Sequence, residues 1–146
     1  MRYSSSGRQY SLAIHEDAEA DLEQIFAEDE DAAAEILVFL EEAKLNQKTL
    51  ENLTIDGYVH HENVTYNVKE IKAAKRARYR YNLWRLRLLW IEGGASKYRI
   101  IYAFSAIEYR YYVLAIVPRN IAYEMNKHER TAKIFAAYDD LQIPRY

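Results

Sequence analysis

The sequence predicts an α+β fold: an N-terminal strand and a helical hairpin packed on a small, mainly antiparallel sheet, with a short C-terminal helix. Three observations carry this expectation. Residues 8–14 have the length and composition of a strand, and residues 15–44 switch to helical spacing. Residues 84–119 hold three strand-like runs in succession, separated by short turn signals. Residues 126–141 return to helical spacing, with Pro144 beyond them.

The chain has 146 residues, 50% of them apolar, enough for one domain with a substantial core, taken as residues 1–146. It has no cysteine, which excludes a disulfide framework, thiol catalysis and the usual zinc-finger ligands. Its first residues show no charged segment followed by a long apolar core, and no run of roughly 18 apolar residues occurs. A cytoplasmic protein with no membrane partner is therefore expected, and no residue pattern calls for a cofactor or a metal.

Taking the elements in order, RQYSLAI at 8–14 reads as the first strand. From His15 onward, Ala18, Leu22, Ile25 and Phe26 recur at helical spacing, and Glu16, Asp17 and Glu19 occupy the first turn, where the helix dipole favours acids. A second helix is expected over Asp31–Lys44, turning Ile36, Leu37, Phe39, Leu40 and Ala43 inward. The AEDED stretch between them makes the pair a hairpin suited to covering one face of a sheet.

Between Leu45 and Tyr81 the periodic signal weakens. Asp56-Gly57 marks a turn, His60 and His61 fall in a polar connection, and Tyr66–Val68 forms a short extended piece. Adjacent histidines rarely point at one ion, and no third ligand is suggested. The basic stretch 69–80, with Lys72, Lys75, Arg76, Arg78 and Arg80, is either a ridge facing nucleic acid or a solvated helix face.

The strand-like runs carry the chemistry, because a strand sends alternate side chains to opposite faces. Trp84, Leu86, Leu88 and Trp90 share one face, and Arg85 and Arg87 the other. In the next run Tyr98, Ile100, Tyr102 and Phe104 form an apolar row, with Lys97, Arg99, Ile101 and Ala103 opposite. The third run, Tyr111–Arg119, is continuously apolar, so its alternation assigns no face. Paired as a meander, the three give one apolar face and one with arginines among small side chains such as Ala103 and Ala115, able to seat a phosphate backbone. Charge is polarised the same way: residues 1–60 hold 4 Lys and Arg against 14 Asp and Glu, and residues 61–146 hold 16 against 8. Trp84 and Trp90 share a face with leucines and belong to the core, and most of the 14 tyrosines follow from strand propensity and half-burial.

The segments LWRLRLL at 83–89, YRIIYAF at 98–104 and LAIVPRNIAYE at 114–124 resemble, in order and spacing, the motif strands of the RelE/ParE superfamily of type II toxin–antitoxin toxins. The ending ERTAKIFAAYDDL is similar to one branch of that superfamily, while the N-terminal likeness is one of architecture. The resemblance implies a concave sheet face that binds RNA in RelE-like members, which cut messenger RNA at the ribosome. Arg85, Arg87, Arg99 and Arg119 would stand at its basic positions, and Tyr123 at the aromatic or acid–base position near the scissile phosphate. ParE-like relatives use the same scaffold to inhibit DNA gyrase, so the activity stays open between the two. Either way a cognate antitoxin protein is the implied partner.

RNA cleavage of this kind requires a base for the 2′-hydroxyl, cations for the pentacovalent phosphorane and an acid for the leaving oxygen. Guanidinium stays protonated and forks onto phosphate oxygens, so the four arginines answer the second requirement only. Tyr123 can move a proton if neighbouring arginines lower its pKa from about 10. His128, Glu124, His60 and His61 are the other candidates.

Overall fold

A computed structural model describes residues 9–61, 65–75, 80–89, 94–119 and 129–145. The chain opens with strand β1 (Ser11–Ile14) and helix α1 (Glu16–Glu28). His15 starts the helix: its backbone is extended, and its Nδ1 accepts the Asp17 N–H at 3.0 Å. Asp29 then serves two helices. Its N–H donates to the Ile25 carbonyl, and its carboxylate accepts the Ala32 N–H at 3.2 Å to cap helix α2 (Glu30–Lys44). The expected AEDED connection therefore shrinks to a single residue. Ala18, Leu22 and Ile25 of α1, and Ala32, Ala33, Ile36, Phe39, Leu40 and Ala43 of α2, are buried, whereas Phe26 lies at the edge of its stripe and is 37% exposed.

The weakly patterned middle folds as helix α3 (Gln47–Glu51), strands β2 (Val59–His60) and β3 (Tyr66–Glu70), and the single turn of α4 (Lys72–Lys75). His60 thus sits in an edge strand, not in a polar connection. Strands β4 (Leu83–Leu88), β5 (Tyr98–Ser105) and β6 (Arg110–Pro118) form the expected meander, and helix α5 (Glu129–Asp140) follows. The sheet runs β1-β6-β5-β4-β3-β2, antiparallel throughout except for the β1–β6 pair. Among the described residues no helix is long and apolar enough to cross a membrane.

Both sheet faces are packed. On one, Trp84, Leu86, Leu88, Ile100, Tyr102, Tyr111 and Val113 meet α1 and α2. The Tyr111 and Tyr102 hydroxyls donate to the Leu50 and Leu53 carbonyls, which ties the α3 segment to that face. On the other, Leu83, Ile101, Ala103, Leu114 and Ala115 meet Ile134, Phe135 and Tyr138 of α5. The second face is consequently not the open arginine surface the alternation suggested, because Ala103 and Ala115 are both 0% exposed beneath α5. The continuous apolarity of β6 has the same cause. Its register slips as well: Ile101 pairs with Ala115 while Tyr102 pairs with Val113, so Leu114 is an extra residue and joins Ala115 on the α5 side.

Two clasps hold α5. At one end Asp21 of α1 accepts the Ile116 N–H at 2.9 Å and pairs with Arg130. At the other, Arg145 bonds Asp139 at 2.8 Å and lies 4.3 Å over the Tyr81 ring, while the Tyr138 hydroxyl donates to the Pro144 carbonyl and accepts the Asn82 N–H.

Gly94 (φ +81°) and Gly57 (φ +85°) separate two effects of adding a methyl group. A Cβ on Gly94 would lie 2.9 Å from Asp29 Oδ2, whereas one on Gly57 meets nothing within 4 Å. Both alanine variants incur about 1 kcal/mol of left-handed backbone cost. Gly94→Ala should lose about 1 kcal/mol more by disturbing the shared helix cap, and urea titration of both variants measures the gap; equal losses would show that the cap is insensitive.

Burial raises the Asp21 pKa, against the lowering effect of the Ile116 N–H and Arg130. A folded pKa above the ordinary 3.8 favours the protonated form in the folded chain. The stabilising contribution is full below that value and is lost as pH rises through the folded pKa. Measured by denaturation at neutral and at acidic pH, the stability of the wild type relative to Asp21→Asn should therefore grow as pH falls. A difference that shrinks on acidification would mean that the Arg130 pair outweighs burial.

Candidate functional site

Strand register resolves the α5-side face into transverse rows. Ala103 of β5 pairs with Leu83 on one side and Tyr112 on the other, and this row lies under α5. One step along, Lys69 pairs with Arg85, Arg85 with Ile101, and Ile101 with Ala115. In the row after that, Asn67 pairs with Arg87 and Arg99 with Val117. Continuing the β4–β5 register by one step sets Arg87 beside Arg99. At the end of the β5–β6 pair the Arg119 N–H donates to the Lys97 carbonyl at 2.9 Å, which places these two residues across from one another. The face thus grades from apolar, where α5 covers it, to cationic, where the cover ends.

Of the arginines singled out in the sequence, Arg85, Arg87 and Arg99 share this face and are half-buried, and Arg119 is exposed where β6 ends. Arg85 Nη1 donates to Asn67 Oδ1 at 3.2 Å. Arg87 Nε is shielded from solvent and has no hydrogen-bond partner among the described residues. The carboxylate of Asp56 accepts the Glu70 N–H at 2.9 Å and pairs with Lys72 at 3.5 Å, and these contacts, with the nearby Lys69 charge, lower its pKa. Like charges directly opposite one another weaken a strand pair, so the Lys69–Arg85 pair and the adjacent Arg87 and Arg99 store repulsion that a bound polyanion would relieve.

Asn67 escaped the sequence reading, and Lys69 entered it only as the first residue of the basic stretch 69–80, not as a strand residue beside Arg85. Their signal was the alternation of Tyr66 and Val68 with Asn67 and Lys69, in a strand that continues to Glu70 and not merely to Val68.

Tyr123, Glu124 and His128 lie outside the described residues, as do Trp90, Arg76 and Arg78. His60 is on the wrong face for chemistry at the arginines. It pairs with Tyr66, stacks on that ring at 4.9 Å, and its Nδ1 is 3.0 Å from the Tyr58 hydroxyl. His61 follows β2 and is exposed. Among the described residues no group of three or more potential ligands could hold a metal ion.

The described rows contain neither histidine nor carboxylate to carry a proton near neutral pH. The resolved tyrosine shifts run upward, away from use as a base. Burial pushes Tyr66 up to about 12 and raises Tyr102 and Tyr111 as well. Tyr112 is raised by burial and by its hydrogen bond to Glu108. The described face can bind and polarise a phosphate, and any proton shuttle has to come from elsewhere.

No protein-family model, curated protein or solved structure matches this chain.

Proposed function

We propose that the chain is the toxin of a type II toxin–antitoxin system, a RelE-like endoribonuclease that cleaves messenger RNA at the ribosome and so blocks translation. The observation that carries this reading is the gathering of Arg85, Arg87 and Arg99 on one sheet face, with Arg119 where β6 ends. The order of elements, from strand and helical hairpin to arginine-bearing antiparallel strands and a C-terminal helix, supports it too. The arginines clamp the scissile phosphate and stabilise the charge that builds up on its oxygens. Tyr123 assists proton transfer, and the reaction needs no metal. A cognate antitoxin, acting in the cytoplasm, neutralises the toxin by covering the arginine face or displacing α5.

The second reading is a ParE-like inhibitor of DNA gyrase that binds without catalysis. It is favoured by the absence of a histidine or carboxylate from the described rows of the cationic face.

Mapping RNA 5′ ends after induction separates the two readings. The wild type should generate new 5′ ends within messages and arrest translation. Arg99→Ala and Arg119→Ala should each lower the cleavage rate on the order of 10²- to 10³-fold, as loss of one charge-stabilising donor does. Because neither side chain is part of the packed core, both variants should unfold at nearly the wild-type temperature. Intact messages together with DNA-damage signalling would overturn the first reading in favour of the second, and undiminished toxicity in the double variant would remove these arginines from the site.

A further inference from the structure

The cationic face does not end at the meander. Strand β3 adds Lys69 directly opposite Arg85 and Asn67 directly opposite Arg87. Successive same-face residues on a strand are about 6.8 Å apart, so the Lys69–Arg85 row and the Asn67–Arg87–Arg99 row are separated by a step comparable with the spacing of phosphates along a nucleic-acid strand. Lys69 is exposed, and Asp56, whose carboxylate also feels the Lys69 charge, is hydrogen-bonded to the Glu70 N–H and paired with Lys72. Asn67 Oδ1 accepts from Arg85 Nη1, which fixes one edge of that guanidinium.

We infer that β3 is a fourth strand of the nucleic-acid-binding face, in which Lys69 contacts a backbone phosphate and Asn67 is a positioning residue that aims Arg85. The inference rests on the reading above that this face takes a nucleic-acid strand. An ammonium on a flexible stem suits a phosphate outside the reacting one, because it supplies charge with little geometric demand. The amide of Asn67 is neutral, so it orients Arg85 without cancelling the charge that the phosphate needs; an aspartate at this position would do both.

The test is binding of a short labelled single-stranded RNA, and of the DNA of the same sequence, to the full chain across a range of salt concentrations. For single strands each neutralised phosphate contributes about 0.7 to the slope of log K against log salt. Lys69→Ala should lower the slope by about 0.7 on both RNA and DNA, and Lys69→Arg should restore it. Lys44→Ala, on the opposite helical layer beside Glu41, should leave the slope unchanged. Asn67→Ala should weaken binding roughly two- to tenfold, the size of one hydrogen bond, without changing the slope. In the Asn67→Ala background the loss caused by Arg85→Ala should be smaller than in the wild type, since the two residues act through one contact.

A wild-type slope in Lys69→Ala, an equal slope change in Lys44→Ala, or an effect confined to RNA would overturn the phosphate contact. Additive losses at Asn67 and Arg85 would overturn the positioning role. In each of these cases wild-type binding persists and the reading of the face survives. A wild-type chain that binds neither strand even at low salt would instead defeat that reading and the inference with it.

Discussion

Burial of β6 on both of its faces is the constraint from which the rest of the architecture follows. The strand is flanked in the sheet by β1 and β5, packed on one side by the helical hairpin and on the other by α5. A strand in that position must be apolar at nearly every residue, and Tyr111–Val117 are all buried. The extra residue Leu114 turns two consecutive side chains toward α5, which adds apolar surface where the helix lies. The backbone that β1 does not reach also requires a partner, since a buried N–H left unpaired is costly. Asp21 supplies it at Ile116, and the same carboxylate anchors Arg130 of α5. One acid thereby joins the hairpin, the central strand and the helix that covers the opposite face.

The position of α5 in turn decides where charge is tolerated. Beneath the helix the face must be apolar, and Leu83, Ile101, Ala103 and Ala115 are. Beyond it, water and ligand can reach the sheet, and every strand from β3 to β5 places a cation there. The arginines are kept together by the strong preference of their alternate neighbours for the core: shifting β4 by one residue would expose Trp84, Leu86 and Leu88 and bury Arg85 and Arg87. Hydrophobic register thus opposes electrostatic repulsion. Burial of a single large apolar side chain stabilises by about 1.5–3 kcal/mol, against the 0.2–1 kcal/mol typical of a cross-strand pair, so the register wins.

Elements long enough to repeat their pattern were legible in the sequence, and those too short to do so were not. The hairpin helices, the three meander strands and α5 repeat their pattern often enough to be read, and the facing of Arg85, Arg87 and Arg99 followed directly from alternation in β4 and β5. Alternation failed in β6 because both of its faces are buried, and this also concealed the roof over Ala103 and Ala115. The five-residue α3 and two-residue β2 are too short to show any period, and they exist through tertiary contacts such as the Tyr111 and Tyr102 hydroxyls on the Leu50 and Leu53 carbonyls. Asn67 was missed, and Lys69 was read only as part of a basic stretch, for a related reason: their strand has two residues on each face before Glu70, and their placement opposite Arg87 and Arg85 appears only once β3 is seen beside β4.

Under the proposed activity, the cations on this face would not all do the same work. An interaction accelerates a reaction only to the extent that it strengthens from ground state to transition state. A cation that holds a non-reacting phosphate does so equally in both, which raises affinity and leaves the chemical step alone. Lys69, one row nearer to α5 and at the edge of the face, is placed for that kind of contact. Arg99 and Arg119 stand at the far end of the β5–β6 pair, where the chain leads on toward Tyr123. Charge developing on a phosphorane would be met there, so the gradient along the face, from apolar cover through binding cations to the end of β6, orders the residues by how strongly each should affect turnover relative to affinity.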